Sequence, residues 1–214
     1  MGIENNKLKA FVEYGRHHVI SIGNILSGTL LYLLFSIPCA FIGLFSWPLL
    51  ILALGILPVF IWLSIRSYQM GKESFYGPYL SNAVSMICYT VFTFICSLRI
   101  LTLIDEHRAA IITIMVIIFF IATIVYYVAI YLMIKRGIYE NTKKASKHIM
   151  SLVIFGFGAF GIGFARIITA EMDQQNILIL LASLLLVLSL CCMMGTPNLF
   201  KFVLAKKHHS EWGY

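Results

Sequence analysis

The 214-residue chain is 60% hydrophobic and only 12% charged, with a mean hydropathy of +0.91. A soluble domain carries about 25% charged residues, and a globule of this length leaves roughly a third of its unfolded-chain area exposed, so water is excluded as the main solvent and lipid has to cover the remainder. The formal charge of +7 does not signal nucleic acid, because lysine and arginine sit in short gaps between apolar runs instead of a basic stripe interleaved with aromatic residues.

Residues 1–24 are a polar, cytoplasmic lead-in. The opening Met1-Gly2-Ile3-Glu4-Asn5-Asn6 begins like a myristoylation signal but has no Ser or Thr at its sixth position. The polar stretch is also too long for the n-region of a cleavable signal peptide. Leu8, Phe11, Val12, Gly15, Val19 and Ile22 recur at helical spacing. Two readings follow: an amphipathic helix lying on the inner leaflet, or a lead-in that runs directly into the first span, with Gly15 and Gly23 weakening any helix.

About 20 apolar residues cross the hydrocarbon core as a helix. Six runs of that kind occur, at 25–45, 48–65, 79–104, 109–134, 149–170 and 177–194. Only Ser46 and Trp47 separate the first two, and Pro48 suits the first turn of the second, so a tight helical hairpin is expected. With the amino end inside, thirteen of the sixteen Lys and Arg residues fall on the cytoplasmic side, and only Arg99, Arg108 and Arg166 fall outside. That bias sets the topology, because insertion resists translocating basic residues. An even number of spans then returns the basic segment 195–214 to the cytoplasm. Three runs lie on each side of Asp105-Glu106-His107-Arg108, which invites an inverted repeat, but no self-similar residue pattern supports one.

The fifth run carries the densest small-residue pattern. Gly156, Ala159 and Gly163 share one helix face, and the spacing of Ala159 to Gly163 lets helix backbones touch in lipid. The face reads first as a packing surface and second as a pore or binding face. Arg166 continues it, three residues past Gly163, and Arg99 lies at matching depth near the end of the third run. An arginine within a span is a functional candidate; near a helix end it also has room to snorkel or to pair with Asp105, Glu106, Glu171 and Asp173. The sharper expectation is that Arg99 and Arg166 converge beneath the outer face, to pair with loop acids or to receive an anionic ligand.

The centre of the spans is otherwise poor in chemistry. His17, His18, His107, His148, His208 and His209 all lie in loops, tails or span ends, as do all nine carboxylates, which argues against a mid-membrane haem, catalytic zinc, proton relay or aspartyl pair. No GxxxxGK[ST] loop is present. Cys39, Cys88, Cys96, Cys191 and Cys192 lie inside apolar runs and read as packing residues, including the Cys191-Cys192-Met193-Met194 cluster, whose neighbours point about 100° apart on a helix. Tyr32, Tyr89, Tyr126, Tyr127 and Tyr131 read first as interfacial anchors and second as hydrogen-bonding links between helices or as cavity-lining residues.

The expectation is therefore an all-α, polytopic integral membrane protein: about six transmembrane helices in one bundle over 25–194, with amino and carboxyl ends cytoplasmic, in the plasma membrane. It is expected to be no enzyme, to hold no cofactor or metal, and to bind no nucleic acid. Its partners are the bilayer and either another membrane protein or a second copy. The function read from this is an accessory subunit of a membrane assembly or a small immunity or resistance protein. The alternative is a small-solute transporter or channel with its path along the Gly-rich fifth run. The loop 135–147, whose five basic residues also suit anionic lipid, or the outer acidic loops are the expected docking segments.

Overall fold

The computed structural model describes residues 4–14, 21–73, 76–104, 108–141 and 174–212. Among them every regular element is helical. We number the helices α1 (Asn5–Glu13), α2 (Ile22–Phe41), α3 (Trp47–Glu73), α4 (Gly77–Leu101), α5 (Arg108–Lys135), α6 (Gln174–Met193), α7 (Asn198–Lys207) and α8 (His209–Trp212), with a 3₁₀ turn at Ile138–Glu140 after α5. Five stretches are long and apolar enough to cross a membrane: Ile22–Phe41, Trp47–Met70, Gly77–Leu101, Arg108–Lys135 and Gln174–Lys207. The run expected at 149–170 lies outside the described residues.

Local chemistry sets the helix ends. Ser21 caps α2 by accepting from Asn24 N–H at 3.2 Å. At the other end Ile42 is the C-cap, and Gly43 follows at φ +68°, the left-handed geometry that only glycine enters without strain. The α2–α3 hairpin expected around Ser46 and Trp47 forms there. Pro78 sits in the first turn of α4, where its missing N–H has no intrahelical partner to lose. Gly137, at φ +65°, closes α5 and swings the chain into the 3₁₀ turn.

Helix α4 is the centre of the bundle, packed against α2, α3, α6 and α7. Between α2, α3 and α4, Tyr32 stacks on Phe60 at 4.8 Å and meets Phe92 edge-on at 5.5 Å. Leu101, Ile104 and Ala182 fill the α4–α6 contact at the far end. At the opposite end, Phe11 and Val12 of α1 are buried against Tyr79, Tyr139, Ala205 and Trp212, so protein covers the apolar face of α1. The outer faces of α2, α3 and α5 expose rows of Leu, Ile and Phe, the pattern of helices solvated by lipid.

The direction of each helix follows from its contacts. Ser97, near the end of α4, reaches Ala182, early in α6, whereas Thr90 meets Ser189. Helices α4 and α6 are thus antiparallel. The start of α4, the end of α5 and helix α7 all gather around α1, while the start of α6 lies at the far end.

Candidate functional site

Of the residues singled out in the sequence, Gly156, Ala159, Gly163 and Arg166 lie outside the described residues, and with them the convergence of Arg99 and Arg166. Arg99 is described, and its surroundings are specific. It projects from the last turn of α4 to the α2–α3 hairpin, where Nη2 donates to the Ile42 carbonyl at 2.6 Å and also to the Leu44 carbonyl. Those carbonyls flank Gly43, at the C-terminal end of α2 where a positive charge is favourable. Its Nε is buried without a partner among the described residues. Arg99 therefore clamps one hairpin to the end of the central helix.

The interior polar groups are used in the same way. Tyr32 Oη donates to Ala53 O at 2.7 Å, Tyr89 Oη to Gly28 O at 2.8 Å, and Cys39 Sγ to Phe92 O at 3.0 Å. Ser97 Oγ donates to Ala182 O and Ser189 Oγ to Thr90 O, each at 2.7 Å. Tyr126 Oη donates to Met194 O at 2.9 Å, and the Tyr127 hydroxyl pairs with that of Thr196 at 2.6 Å. Tyr32, Tyr89, Tyr126 and Tyr127 thus link helices, the reading expected second, while Tyr131 is exposed. In a site without water a hydroxyl has to find its acceptor in protein, and the backbone carbonyls of adjacent helices are the nearest ones. Ser36 Oγ stays buried without a partner among the described residues.

The least expected feature is at the α1 end. A cavity of about 160 Å³ opens between α1, α5, the 3₁₀ turn and the α6–α7 junction. Most of its wall is apolar, including Ala129, Ile130, Met133 and Met194, and Lys201 lines it. Lys201 is only 7% exposed. Its ammonium donates to the carbonyl of Tyr14, the C-cap residue of α1, and lies 5.1 Å from the Phe11 ring, 5.5 Å from Tyr79 and 5.6 Å from Tyr14. Those separations are within cation–π range. No carboxylate among the described residues forms an ion pair with it.

Two more polar groups on this wall are poorly served. Tyr139 is 5% exposed, and among the described residues its hydroxyl finds only the Met133 thioether at 3.9 Å, a weak acceptor. Burial, and then the neighbouring Tyr14, push its phenol up to about 12, so Tyr139 stays a neutral O–H donor at physiological pH. Asn198 is 8% exposed, and its side chain makes no hydrogen bond among the described residues.

Sequence reasoning grouped Lys201 with the cations of the tail and overlooked Tyr139 and Asn198. A signal was present: Lys201 interrupts the otherwise apolar run Leu199-Phe200-Lys201-Phe202-Val203-Leu204-Ala205 just after Pro197, and a lone cation on a docked helix is worth attention. Compared with known proteins, the chain matches no family model, no curated protein and no solved structure.

Proposed function

We propose that this chain is a non-enzymatic subunit of the plasma membrane with six crossings, acting by binding another membrane protein, as an accessory component or as a small immunity or resistance protein. The observation that carries the reading is the fate of the interior polar groups. Tyr32 and Cys39 on α2, Tyr89 and Ser97 on α4, and Ser189 on α6 are each bonded to a backbone carbonyl of a neighbouring helix. A coupled transporter normally keeps polar or ionisable groups free near the midplane for its cargo. A cross-linked interior favours a rigid body that offers its outside to a partner.

Supporting six crossings, α5 ends beside α1 whereas α6 starts at the far end, which favours an odd number of passes between them. One pass through 149–170 satisfies this. Trp212 Nε1 donates to Asn5 Oδ1 at 3.0 Å and Lys9 Nζ to Trp212 O at 3.2 Å, which favours α1 and α8 sharing one side. The basic-residue bias makes that side cytoplasmic.

The test pairs a flux assay with affinity capture. The purified chain in liposomes is expected to move no solute, while mild-detergent capture from native membranes is expected to recover one stoichiometric membrane protein. Flux by the chain alone would replace this reading with the transporter or channel along 149–170.

A further inference from the structure

We propose that the cavity beside Lys201 is a binding site for an anionic headgroup carried on an apolar body, as an acidic membrane lipid presents it. Lys201, Tyr139 and Asn198 line one small space, and among the described residues no carboxylate pairs with the cation. The Lys201 ammonium has a single carbonyl and aromatic faces for company, the Tyr139 hydroxyl has a distant thioether, and the Asn198 amide has no side-chain bond among the described residues.

A buried ammonium with no counter-charge beside it is costly unless something neutralises it. The Tyr14 carbonyl is a partial answer, because it places the cation at the negative end of α1. The backbone position of Lys201 works against it: this is the fourth residue of α7, next to the positive end of that helix. A carboxylate or phosphate oxygen in the cavity beside Lys201 accepts from the ammonium and cancels the charge, with Tyr139 and Asn198 on the same wall as further donors. The apolar remainder of the wall, with Ile130, Met133 and Met194, suits a hydrocarbon segment next to that oxygen. A volume of about 160 Å³ is close to that of an engineered cavity that takes up benzene. It admits a headgroup and a few carbons, with the rest of the ligand outside.

Two sources share this chemistry, an acidic lipid of the bilayer and a small soluble amphiphile, and the experiment separates them. The full-length chain is placed in nanodiscs of zwitterionic lipid. One arm adds phosphatidylglycerol to the bilayer and counts lipids retained by native mass spectrometry after release into detergent. The other adds octanoate to the aqueous phase and measures binding by calorimetry.

Retention or binding in at least one arm is expected to fall about tenfold or more in Lys201→Met, because a charged hydrogen-bonding partner is lost. Lys207→Met, a surface control, is expected to bind like the parent. Tyr139→Phe keeps the ring contacts with Phe11 and Tyr14 and is expected to weaken binding severalfold while leaving thermal unfolding nearly unchanged. This variant carries the test should Lys201→Met not fold. Binding of phosphatidylglycerol assigns the membrane source, and binding of octanoate alone assigns the soluble one. Absence of binding in both arms, or equal binding by the parent, Lys201→Met and Tyr139→Phe, would overturn the proposal.

Discussion

Tyr79, in the first turn of α4, donates its buried hydroxyl to the carbonyl of Val12 at 2.6 Å. This bond crosses 67 residues of chain and ties α1 to the central helix at a point where both residues are fully buried. The same ring faces the Lys201 ammonium at 5.5 Å, so one residue holds both the amino-terminal helix and the cation of the cavity.

Tyr79→Phe keeps the ring and deletes the donor, leaving the Val12 carbonyl buried without that partner. A lost bond of this type costs about 1–3 kcal/mol. The expected outcome is faster hydrogen exchange across Asn5–Glu13, with little change in α2 or α3. Uniform loss of protection along the whole bundle would instead mean that α1 and the core unfold as one unit.

The Arg99 clamp gives a second prediction. Arg99→Gln removes two contacts to hairpin carbonyls and is expected to destabilise the bundle by about 1.5–3 kcal/mol, the range for hydrogen bonds to charged groups. Among the described residues Arg108 reaches only the Thr102 carbonyl, at 3.4 Å and in an exposed position. Arg108→Gln is therefore expected to stay within about 0.5 kcal/mol of the parent. Thermal unfolding of both variants in one detergent checks the contrast.

The large elements were legible because hydrophobic run length is a strong signal when lipid is the solvent. Starts at Ile22, Trp47, Gly77, Arg108 and Gln174 fall within a few residues of the apolar runs, and the hairpin after Phe41 was readable from its brevity. Polar pairing was less legible. Ser97 with Ala182 and Ser189 with Thr90 join residues 85 and 99 positions apart, and no local pattern encodes such partners. The buried state of Lys201 was hidden for a related reason: charge counting assigns every lysine to water, whereas α7 folds back onto α1 and α4.

Two glycines separate backbone need from mere smallness. Gly43 holds φ +68°, and a Cβ there comes within 3.2 Å of Leu103 Cδ2. Gly43→Ala is expected to cost about 1–2 kcal/mol from left-handed strain. Gly55 sits inside α3 with nothing within 4 Å of a built Cβ, so Gly55→Ala is expected to stabilise the helix by about 0.5–1 kcal/mol. Opposite shifts in thermal midpoint for the two alanine variants check the pair; shifts of the same sign would contradict the assignment.

The docking of α8 carries an acid-side pH dependence. His208 Nδ1 lies 2.7 Å from Glu211 Oε2, and the His208 ring stacks on Trp212 at 4.9 Å. The hydrogen bond from His208, and then its charge, hold the Glu211 carboxyl below the usual range. A carboxyl whose folded pKa is depressed contributes stability that is present above its unfolded value, about 4.3, and lost as pH falls through the lower folded value. Acidification below about pH 4 is therefore expected to release Trp212 from Asn5 and His208, red-shifting its emission. The reading uses a background in which Trp47 and Trp62 are replaced by Phe, so that Trp212 alone reports. In that background Glu211→Gln, which mimics the protonated carboxyl, is expected to show the red-shifted emission already at neutral pH and no acid transition. An acid transition that persists unchanged in Glu211→Gln would assign it to another group, because glutamine keeps the shape of the side chain and has no proton to gain.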